Sequence, residues 1–230
     1  MSCHDEHDHH DHGGHDHGHG HSHTPPPDTN ASQSLYQHIY HDNIRTLNEA
    51  EPNSGKLVFK KWEDRLDTTD TVESDVDEQL LFFVPFTGLV RLHSLLIRTT
   101  TDDRAPNTIK LFKNRDDLDF STVADLQATA KFEHPFGVGG SEDEDPEQVT
   151  EEGIVEYALN RAHFSNVTSL AIFIEDNHGA DISKILYIGL RGEWTKLNRA
   201  PVVTLYESAA NPADHKNLVP DPSLSGSLGQ

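Results

Sequence analysis

Three apolar runs follow one another between Glu73 and Phe120, separated by short polar breaks. Residues 80–86 are apolar on both sides, residues 90–100 form the second run, and residues 108–114 the third. In the third, Ile109 and Leu111 alternate with Lys110 and Lys113, and a period of two marks a half-buried strand. The breaks are Thr87-Gly88 after the first run, then Asp102-Asp103 and Ala105-Pro106-Asn107 after the second. No helix of ordinary length fits between them, so three separate strands joined antiparallel are expected. An all-β fold, a β-sandwich, is the leading expectation.

The pattern returns further along. Residues 155–159, 169–175, 183–190 and 202–206 read as strands, with Leu170, Ile172 and Ile174 on one face of the second of these. Residues 128–134 give another, stopped by Pro135. At the start, Leu35/Ile39 and Tyr36/Tyr40 allow one or two helical turns, while Ile39 and Ile44 fit a strand equally well. Glu51-Pro52-Asn53-Ser54-Gly55 is a turn cluster, and Phe59 and Trp62 are expected to cover one end of the sheet, with Lys60 and Lys61 solvated. The stretch 136–140 is glycine-rich but has no phosphate-loop lysine. Residues 141–152 follow with seven acids and no base, which expels phosphate and suggests a disordered acidic insertion.

Composition narrows the function. The chain has 230 residues, 34% hydrophobic, with a formal charge of −21. Residues 1–31 carry six acids and no Lys or Arg, which leaves −15 on the remainder. Nucleic acid is therefore excluded as a sequence-independent partner, since phosphate would be repelled. Cys3 is the only cysteine, so neither a disulfide framework nor a cysteine zinc site can be built. The N-terminus has no secretory pattern and no apolar run approaches the ~20 residues of a membrane span. A soluble protein without a membrane partner follows, cytoplasmic with the nucleus as a second compartment. In that setting the tripeptides at 30–32 and 166–168 match the glycosylation pattern without meeting the enzyme. Expected boundaries are a disordered His/Asp/Gly-rich tail at 1–31, the sandwich at 32–210 and a polar extension at 211–230.

Ten of the seventeen histidines lie in that tail: His4, His7, His9, His10, His12, His15, His17, His19, His21 and His23. Neutral imidazole suits zinc, nickel and copper, and the neighbouring acids concentrate cations. The readings are loose binding of zinc or nickel, or a solvated low-complexity tail. No cofactor is required elsewhere. Asp75 and Asp77, with Glu73, could hold calcium or magnesium, though acids in so acidic a chain are usually solvated. His93 lies among apolar neighbours as a packed or edge histidine, and His163 and His178 fall in loops. No nucleophile elbow, metalloprotease helix, phosphate loop or kinase signature is present, so a binding module is favoured over an enzyme.

Taken together, ESDVDEQLLFFVPF, APNTIKLFKN, RAHFSNVTSLAIFIEDNHGAD, ILYIGLRGEW and YESAANPADH resemble the PITH domain. That is the proteasome-interacting module first known as the C-terminal half of a thioredoxin-like protein. The resemblance covers roughly residues 33–215 and is strongest to the stand-alone members. Without a redox domain, disulfide reductase activity is not implied. What it does imply is a jelly-roll β-sandwich similar to galactose-binding-like domains, and a non-catalytic protein-interaction module associating with the proteasome or a related large assembly. No catalytic residues carry over. Arg191, Glu193 and Trp194, together with Asn211, Asp214 and His215, are the candidate partner-binding residues, because they lie in family-like segments that the strand pattern does not demand. The alternative is a small-ligand or carbohydrate-binding jelly roll, its site formed by Trp194 with the Asp176, Asn177 and His178 loop. An enzyme using the tail with a metal ranks last.

Overall fold

A computed structural model describes residues 33–141 and 153–197, and these fold into a jelly-roll β-sandwich. In chain order the elements are β1 (Arg45–Leu47), α1 (Ser54–Leu57), β2 (Val72–Glu73), β3 (Leu80–Thr99), β4 (Pro106–Lys113), α2 (Phe120–Asp125), β5 (Ala130–Glu133), β6 (Ile154–Ala158), β7 (Val167–Asn177) and β8 (Lys184–Thr195). All strand pairs are antiparallel.

β3 builds both layers. Its first half pairs with β7 along residues 80–85 and with β1 along 81–83, and β7 goes on to β4 and β5. Its second half pairs with β8 along 89–99 and with β6 along 94–98, and β8 goes on to β2. The register breaks between Pro85 and Val90, where the strand crosses from one layer to the other. Leu80, Phe82 and Val84 from the first half share one core with Leu95 and Ile97 from the second, together with Leu111, Ile172, Ile188 and Leu190. Full burial of each such side chain contributes about 1.5–3 kcal/mol.

The alternate residues explain why these runs are apolar on both sides. Leu81, Phe83, Ala171 and Phe173 point to the far side of the first layer, where Val123 of α2 and Leu118 just before that helix seal them. Asp119 starts that helix by accepting from the Thr122 backbone N–H, and the Thr122 hydroxyl accepts in return from the Asp119 N–H. On the far side of the second layer, the crossing of residues 60–71 closes over Arg98, which is 1% exposed and donates to the Leu66 carbonyl at 3.0 Å.

Several expectations change. Residues 80–86 and 90–100 are not two strands with a turn but one, and Thr87-Gly88 is its crossing point. Gly88 serves close approach: a Cβ there would meet the Trp194 Nε1 and lie 2.6 Å from the Thr195 carbonyl oxygen. β8 runs on through Trp194, which belongs to the strand instead of following it. α2 was not foreseen. Residues 36–38 and 41–43 form two 3₁₀ turns, the helical side of the open choice at this segment, and Ile39 between them makes an isolated bridge to Phe86 instead of a strand with Ile44. The strand expected at 202–206 and the acidic stretch 142–152 lie outside the described residues.

Candidate interaction groove

The segment before β1 is tied to the end of β8. Leu35 N–H donates to the Leu190 carbonyl at 2.9 Å, Gly192 N–H donates to Gln33 at 3.0 Å, and Ser34 bridges Arg191. This places the turn carrying Tyr36 beside α1 and the 60–71 crossing. Between them lies an open groove of about 350 Å³. Its floor is Phe59, 3% exposed, and its rim includes Leu57, 45% exposed. Tyr36 and Lys61 also line an adjoining hollow of about 120 Å³ against Trp62.

Charge of both signs faces this groove. Lys56, Lys60 and Lys61 line it together with Asp42, Asp64, Asp67 and Asp70. Lys60, expected to be solvated, is 8% exposed, and its ammonium donates to the Asp67 carbonyl at 2.6 Å. Burial lowers its pKa against the opposing pull of Asp67 and Asp70. Asp67 is held below the usual carboxylate range, chiefly by the Thr69 backbone N–H, with the Thr69 hydroxyl adding a second donor. Trp62 carries two cations, with Arg65 4.2 Å and Arg191 4.9 Å from its ring centroid.

Of the candidate partner-binding residues, the three on β8 do not share one face. Arg191 is 8% exposed, lying on the outer face of β8 under Trp62 and donating to Glu156 at 2.8 Å. Glu156 in turn accepts from the Ser94 hydroxyl at 2.5 Å. Glu193 shares Arg191's face of β8 but is exposed, pairing with Arg91 at 3.3 Å and standing 3.5 Å from His93. Trp194 projects from the opposite face, half-buried against the core, with its indole stacked on His38. Asn211, Asp214 and His215, like the ten tail histidines, lie outside the described residues.

The carbohydrate constellation also comes apart. Trp194 pairs with Val90, which pairs with Val167 at the start of β7, whereas Asp176 and Asn177 end that strand. At 3.2–3.4 Å per residue they are roughly 30 Å apart. Asp176 instead accepts from the Thr108 N–H, and Asn177 donates to Ala180 and Ile182. Glu73 pairs with Lys184 at 2.7 Å and with Arg104 at 3.6 Å, while Asp77 takes the Asn48 amide. Among the described residues no three His, Cys, Asp or Glu side chains converge to hold an ion, and no helix is long and apolar enough to cross a membrane.

A buried polar knot escaped the sequence entirely. His134 is 2% exposed, with its ring 2.7 Å from the Tyr157 hydroxyl and 3.1 Å from that of Thr99. Burial pushes its pKa down to about 4, and pushes the Tyr157 phenol up. His178 reaches the same place through the His134 carbonyl at 3.1 Å. Pro135 read as a strand stop; nothing in its surroundings announces that the preceding histidine is enclosed.

Comparison with known proteins places the whole arrangement. Residues 25–210 match the PITH domain. A PITH domain-containing protein of Schizosaccharomyces pombe is 44% identical over 188 residues, covering 81% of this chain and 86% of that one. PITH domain-containing protein 1 of Homo sapiens is 41% identical over 184 residues, covering 79% and 80%. Among solved structures, the CBM32-1 and CBM32-2 domains of Clostridium perfringens ZmpB in complex with GalNAc align with a TM-score of 0.48 and 11% identity, over 73% of this chain and 36% of that one.

Proposed function

Because this chain belongs to the PITH domain family, we propose that it is a non-catalytic protein-interaction module. Its partner is the proteasome or a related large assembly, met in the cytoplasm and the nucleus. The observation supporting this is the groove beside Tyr36, lined by exposed Leu57, by buried Phe59 and by cations and carboxylates. A surface of that kind suits a segment of another protein, since it offers apolar contact at the centre and charge selection at the rim. The family resemblance supplies the proteasome as the first partner to try. The ten histidines of the N-terminal tail add a loosely held zinc or nickel, with no part in folding. The sugar-binding alternative loses its site with the separation of Trp194 from Asp176.

Co-sedimentation of the full chain with purified proteasome particles tests the proposal. Binding is expected at low salt, and a Leu57→Asp variant that melts like the parent is expected to lose it. No sedimentation at any ionic strength removes the proteasome as partner. Equal sedimentation of the Leu57→Asp variant moves the contact away from the groove.

A further inference from the structure

We propose that the groove between Tyr36 and Asp70 is the docking site for a partner segment carrying one acidic and one basic side chain around a large apolar one. This rests on the protein-interaction reading above. What carries it is that the groove holds charges of both signs not spent on each other. The Lys60 ammonium has three donors. One goes to the Asp67 carbonyl, and no carboxylate of the described residues lies within ion-pair distance. Asp64 and Asp70 act on Lys60 only through space, and among the described residues their carboxylates accept no hydrogen bond and form no ion pair.

A ligand of a single sign meets repulsion from half of this lining. An acidic segment approaching Lys56 and Lys60 also approaches Asp64 and Asp70; a basic one has the reverse difficulty. A segment with one charge of each sign gives Lys60 an acceptor and the aspartates a donor, which rejects wrong partners as well as attracting the right one. The apolar residue between those charges rests on Tyr36 and Leu57, and the volume of about 350 Å³ accommodates one large side chain with its flanks. Lys60 is the pivot. Its stem is enclosed by the fold, so its ammonium is already placed before the partner arrives.

The test is a titration of the isotope-labelled full chain, followed by backbone amide shifts. Acetylated and amidated Lys-Phe-Glu, Lys-Phe-Lys and Glu-Phe-Glu serve as probes, with N-acetylglucosamine as a neutral one. Lys-Phe-Glu is expected to move the amides of Tyr36, Leu57, Lys61 and Asp64, and to bind about fivefold more tightly than any other probe. Lys60→Met, which keeps the stem and removes the charge, is expected to weaken it about fivefold. Should that variant fail to fold, Asp64→Asn with Asp70→Asn gives the same reading from the exposed side. Equal binding of a single-sign peptide or the sugar, shifts elsewhere, no binding, or variants with unchanged affinity would each overturn the proposal. Such a result beside retained proteasome sedimentation refutes this groove chemistry while leaving the interaction function standing.

Discussion

The imidazole of His38 lies flat against the indole of Trp194, with ring centroids 4.4 Å apart and planes 6° from parallel. The stack fastens the segment that forms one wall of the groove to the end of β8. Burial lowers the pKa of His38, which favours packing of two neutral rings over a cation on a π face. Trp194→Ala should cost about 3 kcal/mol, the low end for a buried aromatic because the indole is only half-buried. Trp194→Phe should restore more than half of that. Chemical denaturation of both variants decides it, and a Trp194→Ala protein as stable as the parent would show the stack to be ornamental.

Gly88→Ala tests the crossing in β3. The added methyl meets the Trp194 indole and the Thr195 carbonyl. Overpacking of this order costs about 1–3 kcal/mol. Combining Gly88→Ala with Trp194→Ala should cost less than the two separately, because the indole is one of the obstacles. Strict additivity in the double-mutant cycle would count against the contact.

Arg191 and Glu193 are two residues apart on β8 and predict opposite outcomes. Arg191→Ala leaves Glu156 only the Ser94 hydroxyl and removes a cation from the Trp62 ring, and should cost about 1–3 kcal/mol, less than for a fully enclosed pair. Glu193→Ala loses only an exposed pair and should stay within about 0.5 kcal/mol. Melting curves with equal shifts would contradict this division.

His134 makes the domain sensitive to acid. Its folded pKa, about 4, lies below the unfolded value of 6.5. The unfolded chain therefore takes up a proton first, and the stability held by neutral His134 is complete above pH 6.5 and lost as pH falls toward 4. The loss is on the order of 3 kcal/mol at the acid end of that window. A His134→Gln variant should be less stable at neutral pH and lose less between pH 6.5 and 4. If its stability falls with pH in parallel with the parent, another group is responsible.

Removing residues 1–31 should leave the melting temperature unchanged, since a stretch of His, Asp and Gly with almost no apolar side chains has nothing to bury. Zinc uptake measured calorimetrically should fall to the background of the folded domain, with the ten tail histidines gone. Tight uptake by the shortened chain would place the metal in the sandwich.

The strands were legible because burial on two faces leaves an unbroken apolar run. Residues 170–174 show this, with Leu170, Ile172 and Ile174 facing the main core while Ala171 and Phe173 meet α2. The continuity of β3 was not legible, because Thr87-Gly88 has the composition of a turn whether the glycine bends the chain or admits an indole. Nor was the groove. Lys60 is buried through a carbonyl that any residue at position 67 would supply, and a backbone partner leaves no trace in residue type. Arg191 misled for a related reason: its family-like segment, YIGLRGEW, gave no sign that Glu156 would bind the guanidinium and Trp62 would cover it.

A strand that serves two layers also imposes a waiting time. β3 is finished at Thr99, but its partners β7 and β8 end only at Asn177 and Thr195, the latter 96 residues later. At about 5–20 residues per second of synthesis, roughly 5–20 s pass before both of its major partners have been made. During that interval β3 has β1 to pair with but not both of its longer neighbours, and its apolar faces stay uncovered.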